Sequence, residues 1–461
     1  MRGSKRQGHV LTFTVCPFRR GCLSNRGFFF YAVFYYNVVM HKKYLKSVYL
    51  DYAAATPIDF RVQKAMTPFL RGVFGNPSSL HQEGRKAKLA FDQARVDIAK
   101  IINAKPSEII FTAGGSESVN LAIFGVARNH RKSKRGAEPH FITSVIEHHC
   151  VINSFKALEG EGHKITFVDV DSEGFIKIDK LKKSIRPETV LISVMCANNE
   201  IGAIEPIGEI AKWLKQINTE RERNGLTRIL FHTDACQAAG ILDLNVQRLG
   251  VDLMSINGSK IYGPKQSGAL YIRSGINIEP LIYGGGQERG IRAGTENVAG
   301  AVGLAKALSL VDNHREKENQ RLLSLSNFLI KQIKTRIPNV LLNGAENGQL
   351  KVYRNYKHQQ NIKYNQLKRL PNNINFTFKG VEGEALMLYL DARGFEVSTA
   401  SACSTGNTEA SHVLLAIGRS QEQAQSSIRF SLGKFTALND LKNLMNILPK
   451  LVKDLRNVRK K

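Results

Sequence analysis

Residues 229–257 read ILFHTDACQAAGILDLNVQRLGVDLMSIN, and they contain two short runs made almost entirely of apolar residues. The first run, 229–235, contains Asp234, and the second, 251–256, is followed directly by Asn257. Apolar runs of this length that do not alternate with polar residues predict strands buried on both faces, as in a parallel sheet covered by helices. Each of these predicted strands is followed by polar residues that can take part in catalysis or ligand binding.

The same pattern extends towards the N-terminus of the chain. Segments 85–102 and 207–217 have apolar residues at helical spacing. Four further apolar runs, which also predict buried strands, are 108–112, 140–144, 164–170 and 190–195. Strands that alternate with helices predict an α/β fold, in which we expect a mostly parallel seven-stranded sheet between helices.

Beyond residue 316 the pattern changes, and it predicts a smaller α+β domain. Helical spacing in 318–337 precedes the segments 373–378, 384–394 and 426–432. We therefore divide the chain into a large domain, 60–316, and a small domain formed by 48–59 with 317–461. Within the small domain, 345–370 is rich in Asn, Gln, Lys and Tyr and is interpreted as an inserted loop.

The N-terminal extension, 1–47, does not resemble a folded domain. The apolar stretch 28–40 is too short and too interrupted to span a bilayer, and no small-residue cleavage site follows it. A mitochondrial transit peptide is one interpretation, because 1–48 holds nine Lys or Arg and no acidic residue. We favour a start at Met40, with 1–39 not part of the native protein, and we expect a cytoplasmic protein.

The net charge of +27 is concentrated in a few segments. Besides 1–48, the basic residues cluster in 128–135, 350–369 and 450–461. Solvated loops and tails are the favoured interpretation, and an acidic partner such as tRNA or a carrier protein is the alternative. Six cysteines without a pairing pattern favour a reducing compartment, and we expect no membrane partner, no direct nucleic-acid binding and no metal site.

Three of the predicted strands end in residues that together suit one cofactor. Gly115 and Ser116 follow the strand 108–112 and begin an apolar helix, which is a pattern that binds phosphate. Asp234 can hold a protonated ring nitrogen, and Lys260 follows the strand that ends before Asn257. Because ligands collect beyond the carboxyl ends of strands in open α/β sheets, these residues predict a site for pyridoxal phosphate.

Other motifs add candidate groups to the same site. VIEHHCV (145–151) follows a strand, and its adjacent His-His-Cys suits a histidine stacked on a ring better than a metal site. CANNEIG (196–202) supplies the side-chain amides of two asparagines. GGGQERGIRAGTENV (284–298) is a glycine-rich loop that favours anion binding. SACSTGN (401–407) presents a thiol among small polar residues, and SSIRFSLG (426–433) supplies an arginine for a carboxylate.

These motifs, in this order, resemble the cysteine desulfurases among the fold-type I pyridoxal-phosphate enzymes. YLDYAAATP (49–57), GNPSSLH (75–81), HTDACQAAG (232–240) and SKIYGPK (259–265) match the family as well, so the resemblance runs from Tyr49 to Gly433. It implies the class-V aminotransferase fold, a homodimer and removal of sulfur from L-cysteine. The products would be L-alanine and an enzyme-bound persulfide.

The resemblance also implies a role for individual residues. Lys260 would carry the cofactor covalently, His148 would stack on its ring and Cys403 would take the sulfur. Asn199 and Arg429 would hold the substrate carboxylate. The cofactor would be bound by Gly115, Ser116, His148, Asn199, Asp234, Gln237, Asn257, Ser259 and Lys260, with Thr295 reaching across from the other subunit. Asn-Gly-Ser-Lys (257–260) stands where the family usually has Ser-Gly-His-Lys, so Asn257 and Ser259 would replace a histidine contact to phosphate.

Two alternatives to this function remain open on the sequence. A selenocysteine lyase or another β-lyase would share the lysine, the aspartate and the phosphate ligands, so only the cysteine loop favours sulfur transfer. A non-catalytic scaffold or RNA-binding protein would use the basic segments instead. For a desulfurase, the expected sulfur acceptor is a protein of iron–sulfur cluster assembly or a carrier for tRNA thiolation.

Overall fold

The computed structural model describes residues 47–133, 138–347, 352–354, 360–362, 367–399 and 410–459. Two parts of the chain discussed above therefore lie outside the described residues. They are the N-terminal extension as far as Lys46, and Cys403. Residues from Ser47 onward form one compact unit.

Fifteen strands are described in this part of the chain. They are β1 (Val48–Tyr49), β2 (Ile109–Thr112), β3 (His140–Ser144), β4 (Lys164–Val168), β5 (Thr189–Ser193), β6 (Leu230–Asp234), β7 (Leu253–Asn257), β8 (Gly268–Ile272), β9 (Val340–Leu342), β10 (Val352–Arg354), β11 (Gln360–Ile362), β12 (Asn373–Phe378), β13 (Phe395–Glu396), β14 (Ser398–Thr399) and β15 (Ser427–Ser431).

Thirteen α-helices lie between them. They are α1 (Phe60–Met66), α2 (Pro68–Arg71), α3 (Gln82–Ile101), α4 (Gly115–Ser133), α5 (His149–Gly160), α6 (Ile178–Lys183), α7 (Ile207–Arg223), α8 (Val246–Leu249), α9 (Val298–Arg336), α10 (Gly383–Asp391), α11 (His412–Ala416), α12 (Gln421–Gln425) and α13 (Leu438–Arg459). Among the described residues, every helix is too short or too polar to span a lipid bilayer.

The main sheet has seven strands in the order β2-β8-β7-β6-β5-β3-β4. Strand β8 is antiparallel to both of its neighbours, and the remaining pairs are parallel. A short loop rather than a helix joins β7 to β8, and a loop of that kind returns the chain antiparallel. The predicted mostly parallel seven-stranded sheet is confirmed, and the loops after β2, β3, β5, β6 and β7 emerge at one edge.

Helices cover both faces of this sheet. On one face, α3, α7 and α9 bury residues such as Phe91, Leu214 and Leu304 in one core. On the other face, α4 and α5 bury residues such as Ile123 and Phe155. Burial on both faces explains why these strands have continuous apolar runs instead of alternating ones.

A second sheet, β14-β15-β12-β9, is antiparallel and packs in a separate hydrophobic core. The N-terminal segment joins this core, because β1 pairs with β13 and Leu50 is fully buried there. The single helix α9 runs through the predicted domain boundary at 316/317, since it extends from Val298 to Arg336. The division into two domains remains a prediction, but its boundary falls inside a helix.

The segment 345–370 is more structured than a plain loop. Strands β10 and β11 form an antiparallel pair within it, so this part of the predicted inserted loop contains regular secondary structure. Its end is anchored by Arg369, whose side chain is 2 % exposed and donates to the backbone oxygens of Asn343 and Ala345. Asn, Gln and Lys disfavour strands, and this composition gave no sign of a two-stranded pair.

Candidate active site

Lys260 lies at the end of a tight turn that follows β7. The side chain of Asn257 accepts hydrogen bonds from the backbone N–H and the hydroxyl of Ser259, at 3.2 and 3.1 Å. Gly258 is required in this turn, because a Cβ there would stand 2.2 Å from the Oγ of Ser267. The turn directs the half-buried Lys260 at the N-terminal segment, where its Nζ donates to the backbone oxygens of Ala53 and Ala54, at 3.1 and 2.5 Å.

Asp234 is the last residue of β6, the neighbour of β7 in the sheet. It is 7 % exposed, and its Oδ1 accepts the backbone N–H of Cys236 at 2.9 Å. Gln237 lies in the loop that follows, and its Nε2 donates to the same Ala53 oxygen that Lys260 contacts, at 2.8 Å. The carboxylate, the lysine and the glutamine therefore gather at one edge of the sheet.

The turn between β2 and α4 forms a narrow cradle at the N-terminus of a nineteen-residue helix. Gly114 has a φ of +146°, and a Cβ on Gly115 would stand 2.6 Å from the Sγ of Cys236 and 3.4 Å from the amide nitrogen of Asn257. Ser116 is exposed in the first turn. Backbone N–H groups, a hydroxyl and the Asn257 amide thus surround a position that suits an anion.

His148 is the N-cap of α5, just beyond the carboxyl end of β3. Its Nδ1 lies 3.2 Å from the backbone nitrogen and 3.0 Å from the Sγ of Cys150. Burial lowers the pKa of His148, the charge of Asp234 raises it, and Lys260 and His149 lower it again. His148 follows the carboxyl end of β3, which lies at the same edge of the parallel sheet as the carboxyl ends of β6 and β7.

Arg429 enters the site from β15 of the second sheet. Its Nη1 donates to the backbone oxygen of Asn199 at 3.0 Å, and its Nη2 pairs with Asp51 at 2.7 Å. The guanidinium is 4 % exposed, and its Nε has no hydrogen-bond partner among the described residues. A buried guanidinium with an unused donor is suited to bind a small carboxylate.

Two buried glutamates stabilise the loops that surround this cluster. Glu147 is fully buried next to His148 and accepts the backbone N–H of Met195 at 2.6 Å, and burial raises its pKa well above its ordinary value. Glu200 accepts the hydroxyl of Ser411 at 2.5 Å, and burial raises its pKa to about 7. The Glu200–Ser411 hydrogen bond connects the loop after β5 with the start of α11.

Thr295 is the predicted site residue that the described structure places away from this cluster. Thr295 is exposed on the loop before α9, where the neighbouring residues Gly294 and Glu296 line a cavity of about 160 Å³ with Thr112 and Ala113. Cys403 lies outside the described residues, so its place relative to Lys260 remains a prediction. Within the described part of the chain, no group of His, Cys, Asp or Glu residues is arranged to hold a metal ion.

Sequence reasoning missed three groups that the fold brings to the site. Asp51 pairs with Arg429 although 378 positions separate the two residues, and Cys150 contacts His148. His412 donates from its Nε2 to the backbone oxygen of Glu147 at 2.9 Å, and its ring packs 4.8 Å from that of His149. The only sequence signal for them was their position inside YLDYAAATP, EHHCV and SHVLLAIG, without any indication of their partners.

Residues 48–444 match the model of the family described as aminotransferase class-V. The cysteine desulfurase IscS of Dictyoglomus turgidum is 48% identical over 413 residues, which cover 90% of this chain and 96% of that protein. The probable mitochondrial cysteine desulfurase of Schizosaccharomyces pombe is 39% identical, over 90% of this chain and 76% of that protein.

The chain belongs to the cysteine desulfurase family. Solved structures agree, since one described as a NifS-like protein is 32% identical with a TM-score of 0.77, covering 89% of this chain and 100% of its own. Another, described as SspA in complex with cysteine, is 34% identical with a TM-score of 0.68, covering 84% and 99%. The protein is therefore a cysteine desulfurase, an enzyme of a family that implies dependence on pyridoxal phosphate.

The residues present fit this cofactor. The cradle at Gly115 has no room for a side chain, and it combines a helix N-terminus with the exposed Ser116. Asp234 is a buried carboxylate, and Lys260 supplies a primary amine from the turn that follows the neighbouring strand. In this set the cradle matches the phosphate of the cofactor, Asp234 matches its pyridine nitrogen, and Lys260 matches its aldehyde.

Proposed function

We propose that this desulfurase acts on L-cysteine, with pyridoxal phosphate held covalently at Lys260 and the sulfur taken up by Cys403. The observation that carries the proposal is the gathering of Lys260, Asp234, His148 and the cradle at the carboxyl edge of the sheet, with Arg429 entering from the second sheet. A relative of similar fold has been solved with cysteine, which supports the choice of substrate.

Each group of the cofactor has a proposed partner in the chain. Asp234 would keep the ring nitrogen protonated, and Gly115, Ser116 and Asn257 would hold the phosphate. Ser259 already donates its hydroxyl to Asn257, so it would act by orienting that amide. When bound, pyridoxal phosphate supplies an electron sink for the bonds at the α-carbon of cysteine.

Arg429 would bind the α-carboxylate of cysteine. Its contacts with Asp51 and the Asn199 backbone fix the plane of the guanidinium, which leaves the Nε side available. Asn199 is only 9 % exposed, and its backbone oxygen is the group that accepts from this arginine. Fixing the carboxylate orients the sulfur-bearing carbon of the substrate, which is the usual contribution of positioning to a rate.

The sulfur transfer needs only the substrate and one thiol. The Cys403 thiolate attacks the sulfur of cysteine, an S–S bond forms, and the bond between that sulfur and the β-carbon breaks. The electron pair of the broken bond stays on the β-carbon, which takes up a proton. L-cysteine and an enzyme thiol therefore become L-alanine and an enzyme persulfide, with no additional oxidant or reductant.

The Cys403→Ala variant tests the persulfide. We expect it to lose alanine formation from cysteine by at least about a hundredfold, because the acceptor of the sulfur is gone. Mass spectrometry of the wild type after a single turnover should find the additional sulfur on Cys403. A variant that forms alanine at the wild-type rate would instead favour a selenocysteine lyase or another β-lyase.

A pair of lysine variants tests the cofactor site. Lys260→Ala should abolish the visible absorbance of the covalently held cofactor, since no amine remains at that position. The matched control is Lys265→Ala, because Lys265 is exposed in the same loop. We expect the control to keep both the absorbance and the activity, and equal loss in both variants would contradict the assignment of Lys260.

We also propose that two copies of the chain form a homodimer. Large apolar side chains are exposed near the loop before α9, with Phe74, Leu80 and Tyr283 exposed by 77, 88 and 72 %. An exposed apolar surface of this kind is typical of an interface. Thr295 is exposed in the same region, which supports its proposed reach into the site of the other subunit.

The sulfur acceptor and the compartment are part of the same proposal. The relatives named IscS support transfer to a scaffold of iron–sulfur cluster assembly, and a tRNA-thiolation carrier is the second candidate. The three described cysteines, Cys150, Cys196 and Cys236, are free thiols, as expected for the reducing cytoplasm.

A further inference from the structure

The proton of the His148 imidazole can be placed from its hydrogen bonds. The backbone N–H of Cys150 can only donate, and it points at Nδ1 of His148 from 3.2 Å. Nδ1 is therefore the acceptor and carries no proton, so the single proton of the neutral ring is on Nε2. Burial lowers the pKa of His148, which favours this neutral ring.

The thiol of Cys150 makes a second contact with the same nitrogen. Its Sγ lies 3.0 Å from Nδ1 of His148, and burial raises the pKa of Cys150 far above its ordinary value. The thiol thus keeps its proton and donates it to Nδ1.

Both contacts with Nδ1 are local to one helix terminus. His148 caps α5 and Cys150 lies in the first turn of the same helix, so the backbone N–H and the thiol of Cys150 approach the ring from the same side.

We propose that Cys150 is a positioning residue: its thiol, together with the backbone N–H of the same residue, donates to Nδ1 of His148 and so holds the ring with its proton on Nε2. This inference rests on the proposed function in that His148 faces the cofactor ring.

The other charged and titratable groups near His148 come from four elements. Asp234 at the end of β6 raises its pKa, while Lys260 after β7 and His149 on α5 lower it. His412 on α11 and the buried Glu147 lie in the same region. A hydrogen bond donated to the neutral ring also lowers the pKa, so removing the Cys150 thiol should raise the pKa of His148 towards its ordinary value of 6.5.

The test uses the full chain freed of cofactor, with nitrogen-15 in its histidines. In the wild type we expect an unprotonated Nδ1 and a protonated Nε2 for His148, identified by comparison with a His148→Gln variant. In Cys150→Ala the pKa of His148 should rise and its Nδ1 signal should move, and Cys150→Ser should restore both. Cys196→Ala, which removes another buried thiol, is the matched control.

Wild-type values for the pKa and the Nδ1 signal of His148 in Cys150→Ala would overturn the inference.

Kinetics on the cofactor-loaded enzyme give an independent readout. Because the thiol acts through His148 and not on substrate binding, Cys150→Ala should lower kcat about fivefold with little change in KM, and Cys150→Ser should recover most of it. A KM effect alone would contradict the role. The nuclear magnetic resonance arm needs no cofactor, so it stays valid even where Lys260→Ala shows that the proposed function is wrong.

Discussion

Glu205 shows how a single buried carboxyl group couples the stability of this protein to pH. The residue is 3 % exposed, and its Oε2 accepts the backbone N–H of Ile176 at 3.0 Å. Its Oε1 is buried and has no hydrogen-bond partner among the described residues. Burial, with a smaller contribution from Asp171, raises its pKa from an ordinary 4.5 to about 8.

A raised carboxyl pKa means that the folded state holds a proton that the unfolded state has released. Between pH 4.5 and about pH 8 the unfolded state therefore binds fewer protons, so the free energy of unfolding falls as the pH rises through this window. Below pH 4.5 both states are protonated, and the full stability is present.

Glu205→Gln removes this dependence, because an amide stays neutral while Oε1 of the glutamine can still accept from Ile176. We expect the free energy of unfolding of the variant to match that of the wild type at pH 5. At pH 8 it should exceed the wild-type value by a few kcal/mol, on the order of 1 kcal/mol for each unit by which the pKa of Glu205 is raised. Urea unfolding at the two values measures this difference. Glu209→Gln, at an exposed position of α7, is the control, and the same gain in that variant would refute the explanation.

The loop before α9 depends on helix α3 for its conformation. Glu288 and Arg289 have positive φ angles of 46° and 59°, a region that non-glycine residues rarely occupy. Arg95 of α3 pairs with Glu288, which also accepts the backbone N–H of Phe111 at 2.7 Å. The Arg95 guanidinium lies over the rings of Phe91 and Phe111, at 5.0 and 4.9 Å from their centroids.

Arg95→Met should destabilise the protein strongly, because Glu288 would be left as a buried charge without its cation. A loss of about 3–5 kcal/mol in the free energy of unfolding is typical of a broken buried ion pair. Adding Glu288→Gln removes the charge and should recover part of this loss. A double variant that is less stable than Arg95→Met would show that the charge is not the cause.

At the scale of the whole enzyme, the proposed homodimer can be tested through Thr295. This residue is exposed, and it is proposed to bind the cofactor of the partner subunit. In a hybrid of one Lys260→Ala chain and one Thr295→Ala chain, the site with an intact Lys260 would receive Thr295 from the other chain. We therefore expect the hybrid to bind cofactor and turn over at about half the wild-type rate, because one of its two sites is intact.

Co-expression with two different affinity tags isolates the hybrid for this measurement. The parents, each carrying one substitution in both chains, should be inactive or should need additional cofactor. If Thr295 acts within its own chain, no hybrid site is complete, and the hybrid will be no better than the Thr295→Ala parent.

Much of the fold was predictable from the sequence because the pattern of apolar residues is local. Near-continuous apolar runs such as 229–235 predicted strands buried on both faces, and the structure has them in a mostly parallel sheet. Lys260, Asp234 and Gly115 could be singled out because each follows such a run. The hairpin in 345–370 was missed, since its polar composition has no strand-like pattern.

The sequence by itself determined which chemical groups this protein carries and that they follow strand ends, because strand periodicity and turn residues act over a few positions. Only the tertiary structure decided which of these residues contact one another. Asp51 reaches Arg429 because β1 pairs with β13 and Asp51 itself is bridged to Ser431 of β15. Glu200 reaches Ser411 because the loop after β5 packs against the start of α11. Such partners depend on the order of strands and the packing of helices, which no short stretch of sequence encodes.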